Sequence, residues 1–572
     1  MKKIVKLVSI LSIIIFCKIN NIYGQTYEET YNLNFKIVDN VFHGWYPDIN
    51  DSYMSYVTDT TDLGGSIKFF QKERWGFREK MNLNMCSSVI LLPSLSDDIL
   101  KVEISYKSKN LKTGRLFVYS LNQKMDIFKT DSILLQNNDK FEEDFVEINT
   151  KDLCFLFFKL QAVGKDSTYT NKISSVKTTI PHEISINRIE LQNGNMNINT
   201  LPFQDIKAST LDKSKVLTLS SDTLLTEKQL SHISKRITAL GETVHGSGKI
   251  GWATTKFIKS SVLSNQTKLI LTELPILQIL FFNKYIQGSN SIDEDKLKEL
   301  TKIIIGEEEP IIELLKWLRN YNKTAVEKVN YLGIDCRYEK NELDFFLKDY
   351  MQTLNKEARS SAVDSIVSVL QIRDVEKIKD MAVTTLHIIE NNEKELSSAI
   401  GKDLAIITFY LKSLIETEIK NEDSYYERDY RMFTNASFFI DNLCKPNQTI
   451  VVDCHLGHAN YMNIINIPYH KSFGYYMKKT YGEEYACIAQ TVYQDTAKAF
   501  LGNELERREL HLPSQTTLEA VFSKSDIKYG YIDANELDDI VKIRTQGAGH
   551  RRSINEDYIK PKDQIQGVLF IN

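Results

Sequence analysis

Short runs of alternating apolar and polar residues dominate the chain from residue 25 to about residue 200. Segments 100–106, 114–119 and 184–191 alternate in this way, and polar turn residues separate the runs. This spacing is typical of antiparallel strands that bury one face. It predicts an all-β sandwich with a jelly-roll-like arrangement over residues 25–200.

The pattern changes from about Val216, where apolar runs alternate with long helical segments. Such alternation is typical of a sheet covered by helices. Residues 344–442 read as mostly helical and predict a lid or an inserted helical bundle. We therefore expect a multidomain protein, with an α/β domain over 205–572 that carries a central sheet and a large helical insertion.

The first residues have the pattern of an export signal. A basic start, Met1-Lys2-Lys3, precedes a mostly apolar run over residues 4–17 and a polar stretch that reaches Gly24. This predicts a signal peptide over residues 1–24 and a secreted or periplasmic protein. The apolar run is short for a membrane span, so none is expected after signal removal.

Composition and charge narrow the choice of partners. The 572 residues are 42% hydrophobic and 26% charged, as in folded proteins of several domains. The 71 basic and 75 acidic residues give a net charge of −4, so no nucleic-acid partner is expected. In the β-rich part, Trp45, Tyr46 and Trp75 either stack on sugar rings of a glycan or fill the sandwich core.

Polar residues end four of the apolar runs in the second domain. Glu242, Glu273, Asp335 and His455 each follow a predicted strand. Ligand sites of α/β sheets lie beyond the carboxyl ends of the strands. If these strands are parallel, the four residues converge on one site.

The segment Gly241-Glu242-Thr243-Val244-His245-Gly246 is the first candidate for chemistry. Its glycines allow a tight loop that presents Glu242 and His245 together. A carboxylate beside a histidine fixes the tautomer and raises the basicity of the ring, which then accepts a proton from water. The alternative is a helix-capping loop with an incidental histidine.

Two further features support a site in this domain. His455 and His458 stand two residues apart at a strand end, where they either bind a metal, donate hydrogen bonds to an oxyanion, or are unrelated loop residues. Arg428 precedes Asp429 on a predicted helix. Arg428 either contacts substrate, pairs with a site carboxylate, or belongs to a surface ion pair.

Together these motifs resemble the erythromycin esterase family over roughly residues 230–572. The resemblance is carried by Gly241-Glu242-x-x-His245-Gly246, Glu273, Trp317-Leu318-Arg319-x-x-Asn322, Gly333-x-Asp335, Arg428-Asp429-x-x-Met432, His455-x-x-His458, Phe473-Gly474-x-x-Met477 and Gly567-Val568-Leu569-Phe570-Ile571. The chain departs from relatives at Thr254, where some carry a basic residue, and after His455, where asparagine is frequent. No Gly-x-Ser-x-Gly elbow occurs, so a serine nucleophile is not expected.

The resemblance implies ester hydrolysis, including opening of macrolide lactones and the antibiotic resistance that this confers. It implies that His245 activates water and that Glu242 and Glu273 orient it. His455 and His458 would stabilise the oxyanion, and Arg428 with Asp335 would bind substrate. No cofactor is expected.

Two alternatives remain open at this stage. The same glutamates and histidines offer enough nitrogen and oxygen ligands for a zinc or manganese hydrolase. The other alternative is a secreted glycan-binding protein with a degenerate hydrolase domain.

Overall fold

The structure is a computed structural model, and it describes a large part of the chain. The described residues are 25–38, 41–42, 44–47, 54–59, 66–71, 82–164, 168–170, 177–179, 183–264, 267–305, 309–336, 347–351, 360–370, 378–416, 424–465, 467–501, 504–546 and 556–572. The predicted signal peptide and Trp75 lie outside them. The described chain divides near residue 207 into two compact units, with 467–468 grouped with the first.

The first unit is built almost wholly of strands. It begins with one short helix, α1 (Tyr27–Tyr31), whose capping box is formed by Thr26 and Glu29. The strands of this unit are β1 (Ile37–Val38), β2 (Val41–Phe42), β3 (Trp45–Pro47), β4 (Met54–Asp59), β5 (Ser66–Gln71), β6 (Asn82–Ser87), β7 (Ile90–Leu91), β8 (Ile99–Lys109), β9 (Leu111–Leu121), β10 (Ile127–Leu134), β11 (Asn138–Asn149), β12 (Phe155–Gly164), β13 (Thr168–Thr170), β14 (Lys177–Thr179), β15 (Glu183–Asn193) and β16 (Met196–Asn197).

Two antiparallel sheets of these strands share one core. One has the order β10-β9-β12-β6-β3 with β7 beside β12, and the other β11-β8-β15-β5-β4 with β16 beside β15. Alternate residues of β8, such as Val102 and Ile104, are buried together with Leu156 and Phe158 of β12. The predicted all-β sandwich is therefore confirmed.

Trp45 belongs to this core. Its side chain is 4% exposed, and its ring lies 4.9 Å from the Phe35 ring and 6.2 Å from the Phe158 ring, measured between centroids. Of the two roles open for this residue, core filling is the one observed, because a buried ring cannot stack on a sugar. Tyr46 is partly exposed.

The second unit mixes helices with strands. Its strands are β17 (Leu217–Thr218), β18 (Ile237–Glu242), β19 (Leu269–Pro275), β20 (Asn330–Asp335), β21 (Ile450–His455), β22 (Asn463–Ile464), β23 (Ile467–Lys471), β24 (Tyr485–Val492), β25 (Thr496–Leu501), β26 (Glu504–Glu509), β27 (Tyr529–Asp533), β28 (Val541–Arg544), β29 (Glu556–Ile559) and β30 (Gly567–Ile571).

Its helices cover the sheet and fill the long connection between β20 and β21. They are α2 (Glu227–Ile233), α3 (Gly248–Ser264), α4 (Ile276–Ile286), α5 (Glu294–Ile305), α6 (Glu309–Thr324), α7 (Ser361–Val369), α8 (Ile378–Asn391), α9 (Glu393–Ile400), α10 (Asp403–Glu416), α11 (Ser424–Leu443), α12 (Leu456–Ala459), α13 (Phe473–Tyr481), α14 (Leu518–Ser523) and α15 (Pro561–Gln564). Within the described residues, none of the helices is both long and apolar enough to cross a bilayer.

The central sheet has the order β17-β27-β30-β24-β18-β21-β19-β20. The strands from β30 to β20 run parallel to one another, and β27 pairs antiparallel with both β30 and β17. Strands β18 and β24 are almost continuously buried, as expected where helices cover both faces of a parallel sheet. The predicted α/β domain with a central sheet and a large helical part is confirmed.

Candidate active site

Three neighbouring central strands and their edge partner bring four polar residues to one end of the sheet. In the β18–β21 ladder Glu242 is opposite His455, and in the β19–β20 ladder Pro275 is opposite Asp335. Glu273 lies where the register of β19 shifts. Because the strands are parallel, these carboxyl ends share one edge, as expected for a ligand site.

His245 is held rigidly in the loop between β18 and α3. Its backbone N–H donates to the Gln546 carbonyl at 2.9 Å, and its own carbonyl accepts from the Lys498 N–H at 2.9 Å. Gly246 follows with a φ of +68°, a conformation that glycine adopts without strain. The backbone of His245 is therefore held by hydrogen bonds on both sides.

Glu242 orients the His245 ring. The Glu242 Oε1 lies 2.5 Å from His245 Nδ1, so the Nδ1–H donates to the carboxylate and Nε2 keeps its lone pair. Burial lowers the pKa of His245, but the charges of Glu242 and Glu273 outweigh burial and Arg428, and the pKa is raised. The ring is therefore both oriented and made more basic.

Ser247 has a structural task in the same loop. Its Oγ donates to the Asp495 carboxylate at 2.5 Å and accepts from the Ile250 N–H at 3.2 Å. The hydroxyl thus caps the first turn of α3. Ser247 and Asp495 therefore cap helix α3, with Asp495 also accepting from the Lys249 N–H. His245 does not cap the helix, and its ring pairs with Glu242.

A buried guanidinium ties two of the strand-end carboxylates together. Arg428 on α11 donates from Nε and Nη2 to Asp335, at 3.0 and 2.9 Å, and from Nη2 to Glu273 Oε1 at 2.7 Å. Burial raises the pKa of Glu273, but the His458 ring, Arg428 and His245 together hold it well below its usual value. The Arg428 side chain is 5% exposed, so its contacts are with the protein.

His455 is positioned by backbone contacts at the end of β21. Its N–H donates to Glu273 Oε2 at 2.8 Å, and its Nδ1 accepts from the Gly457 N–H at 3.1 Å. An Nδ1 that accepts leaves the proton of the neutral ring on Nε2, which is then a donor. The His455 ring centroid lies 4.5 Å from that of His245.

His458 is engaged at both ring nitrogens. Nδ1 donates to the Asp429 carboxylate at 2.8 Å, and Nε2 lies 2.9 Å from Arg428 Nη1. Asp429 is fully buried and also accepts from the Phe473 N–H at 2.7 Å, at the start of α13. Asp429 therefore holds the His458 ring, and the His458 ring contacts the Arg428 guanidinium.

Comparison with known families decides the classification. The model of one family, described as erythromycin esterase, matches residues 273–572, which is just over half of the chain. The chain belongs to the erythromycin esterase family. Membership of this family supports hydrolase activity. The matched range includes Glu273, Asp335, Arg428, His455 and His458.

Solved structures similar to this family member are distant in sequence. A Bacillus cereus protein has 17% identity and a TM-score of 0.49, over 63% of this chain and 95% of its own. A succinoglycan biosynthesis protein has 15% identity and a TM-score of 0.46, over 63% and 94%. A mutant of the erythromycin esterase EreC in its open conformation has 15% and 0.42, over 59% and 90%. Comparison with curated proteins finds no match.

The esterase-family site unites every residue that the sequence indicated and adds one. Asp429 was seen in the sequence only as the partner of Arg428 in a motif, although it fixes His458. The feature of the sequence that could have identified Asp429 is its position next to Arg428, on a helix that packs against the sheet. Among the described residues, no three His, Cys, Asp or Glu side chains are arranged to hold a metal ion.

The departure from the family pattern at Thr254 lies in the scaffold. Thr254 on α3 donates to the Gln490 side chain at 2.9 Å inside the domain. Lys256, two residues later, contacts the Ser220 carbonyl and lies 4.7 Å from the Tyr529 ring centroid. The pKa of Lys256 is lowered, mainly by burial. Both side chains are therefore used in packing α3.

Proposed function

We propose that this chain is an exported hydrolase that cleaves a carboxylic ester or macrolide lactone with a water molecule activated by His245. The observation that carries the proposal is the His245–Glu242 hydrogen bond beside the His455 ring, within a member of the erythromycin esterase family. A rigid base next to a ring donor is what ester hydrolysis by water requires.

In the proposed reaction His245 Nε2 takes a proton from water. The water oxygen then attacks the carbonyl carbon, and the carbonyl oxygen becomes an oxyanion. When the carbon–oxygen bond to the leaving group breaks, the imidazolium returns the proton to the leaving oxygen. Glu242 stabilises the imidazolium through the 2.5 Å contact to Nδ1.

His455 is the proposed donor to the oxyanion. Its Nδ1 accepts from the Gly457 N–H, which places the proton of the neutral ring on Nε2, the atom that we propose donates to the oxyanion. Glu273 supports this role by accepting from the His455 N–H. We assign Arg428, Asp335, His458 and Asp429 to holding Glu273 in place, since their contacts are made within the protein.

We also propose that residues 1–24 direct export and are removed near Gly24. The test is expression of the full chain in a bacterial host with fractionation and N-terminal sequencing. A mature protein that begins near Gln25 outside the cytoplasm is expected. Retention of Met1 in the cytoplasmic fraction would contradict export.

The activity test is a screen of the purified protein against macrolide lactones and simple aryl esters, followed as the gain of one water by mass spectrometry. Turnover that survives a chelator is the expected result, because the proposed reaction needs no metal or other cofactor. Turnover abolished by chelation and restored by zinc or manganese would favour the metal-dependent alternative. No turnover of any ester by a folded protein would reject the proposal.

A glycan partner for the first unit remains a prediction from the sequence. Trp45 is buried in the core, and of the three aromatic candidates only Tyr46 is described as partly exposed. The test is a glycan-binding screen of the intact protein with Tyr46→Ala as the control. Binding that the substitution weakens would support the prediction.

A further inference from the structure

The central strand β21 carries an acid that the proposed reaction does not use. Asp453 lies opposite Leu240 of β18 and Thr272 of β19, two residues before His455. Alternate residues of a strand point to one face, so Asp453 shares a face with His455 and with Glu242, which pairs with His455. Along β21, Asp453 and His455 are partly exposed, while the other four residues are buried.

Charged groups of the site surround this carboxyl from several elements. Glu242 of β18, Glu273 of β19 and the His245 loop all act on its ionisation. On β20, burial and then the charge of Asp453 raise the pKa of the Tyr331 hydroxyl. Within the part of the chain that the structure describes, no side chain or backbone group donates a hydrogen bond to the Asp453 carboxyl group.

This environment disfavours the charged form of Asp453. Burial, then the negative charges of Glu242 and Glu273, raise its pKa to about 8, against the opposing effect of His245. Repulsion between neighbouring carboxylates makes it unfavourable for all of them to be ionised in one site. At neutral pH the carboxyl therefore keeps its proton and is a hydrogen-bond donor, as in enzymes that hold one acid neutral for this purpose.

We infer that Asp453 is a further residue of the site, a neutral acid whose hydroxyl donates a hydrogen bond to an oxygen of the bound ester. The inference rests on the proposed function for its substrate, and on the shared face with His455 and Glu242 for its place. The site would then have two donors to the substrate, the His455 ring and the Asp453 hydroxyl. The Asp453 donor differs from His455 because it is lost when the carboxyl group ionises.

Two variants separate donation from charge. Asp453→Asn keeps a donor of nearly the same shape and cannot ionise, whereas Asp453→Leu keeps the branching at Cγ and removes the donor. We expect kcat/KM at neutral pH to fall by about 100-fold in Asp453→Leu, the usual loss for one donor to a developing charge, and by far less in Asp453→Asn. Equal losses in the two variants would overturn the inference.

The pH profile gives a readout that a purely structural role would not change. Wild-type kcat/KM should decline as pH rises through about 8, because ionised Asp453 no longer donates and adds a third negative charge. The same decline should be absent from Asp453→Asn. An unaltered alkaline limb in that variant would overturn the inference.

A measurement without substrate distinguishes failure here from failure of the proposed function. The folded state holds the Asp453 proton more tightly than the unfolded chain, so its contribution to stability is complete below the unfolded pKa of about 3.9. That contribution is lost as pH rises towards about 8. Asp453→Asn should therefore gain stability relative to wild type between those values, seen as a rising difference in urea midpoint.

The combinations of results are decisive. A constant difference in urea midpoint, in a wild-type protein that hydrolyses esters, would overturn the inference and leave the proposed function intact. A rising difference in a protein that turns over no ester would reject the proposed function and the donor role that rests on it, while the neutral acid would stand.

Discussion

Arg428 carries a buried charge whose two carboxylate partners depend on it. Asp335 and Glu273 both accept hydrogen bonds from its guanidinium, and their side chains are 6% and 12% exposed. Breaking a buried pair from one side leaves an uncompensated charge, whereas the solvent-exposed pair of Lys562 and Asp539 contributes little.

We therefore predict that Arg428→Met lowers the free energy of unfolding by about 3–5 kcal/mol. Lys562→Met, which removes a charge from the same unit, should lower it by about 0–1 kcal/mol. Urea unfolding of both variants measures the difference. Similar midpoints for the two would show that Arg428 is not the centre of the buried network.

The Glu242 carboxylate sets the basicity of His245. The raised pKa of His245 means that the neutral ring, which is the active base, forms only above that pKa. Glu242→Gln removes the negative charge, so the pKa of His245 falls and the acid limb of kcat/KM should move to lower pH. The maximal rate should fall as well, because the imidazolium loses its stabilising partner. An acid limb that stays in place would contradict this assignment.

The sequence predicted which residues belong to the site better than it predicted the contacts that these residues make. His245 and Glu242 stand out because they are close in the chain and flanked by glycines. Asp429 and Asp453 do not stand out, since the first looks like half of a surface ion pair and the second lies inside an apolar strand. The role of Asp429 depends on His458, which lies 29 residues away in the sequence. The role of Asp453 depends on residues of neighbouring strands.

At the scale of elements, the parallel strands do most to build the site. The strands predicted to lead into Glu242, Asp335 and His455 are observed, and each of them ends at that residue. Their order in the sheet was not predicted, because β18 and β21 are adjacent in space but far apart in sequence.

Helix α13 packs unusually closely against the segment that follows His458. A Cβ added at Gly474 would lie 2.0 Å from the Ala459 carbonyl oxygen and 2.3 Å from that of Asn460. Both obstacles are backbone atoms. The glycine is therefore what allows the Phe473 N–H, at the start of α13, to reach Asp429.

We predict that Gly474→Ala lowers the free energy of unfolding by about 2–4 kcal/mol, because overpacking against backbone forces the helix away. Gly248→Ala is the matched control, also in the first turn of a helix, where the only described atom within 4 Å of the added Cβ is the Arg507 Nη1, at 3.9 Å. Thermal unfolding compares them. A tolerated Gly474→Ala would mean that α13 shifts without loss.

At the scale of the whole molecule, the charges of the site link stability to pH. The pKa of Glu273 is held well below its usual value, so its contribution to stability is complete above the unfolded value of about 4.3 and is lost as pH falls further. Glu273→Gln should be less stable than wild type at neutral pH. The difference should narrow on acidification below about pH 4. A gap that widens in acid would contradict the lowered pKa.

The division into a β-rich and an α/β part was predictable because the two hydrophobic periods differ along the chain. The face-to-face packing of two sheets in the first unit followed from the same alternation. The role of Trp45 could not be fixed, since an aromatic residue in a strand fits a core and a binding face equally well until its neighbours are known.

The measurement that tests the central claim most directly is ester turnover by His245→Ala with and without added imidazole. We expect kcat/KM to fall by about 10²–10⁴-fold, with the protein folded as judged by its urea midpoint, because the base is lost. Imidazole in solution should restore part of the rate by taking the proton from water. A His245→Ala variant that retains turnover close to wild type would contradict the account.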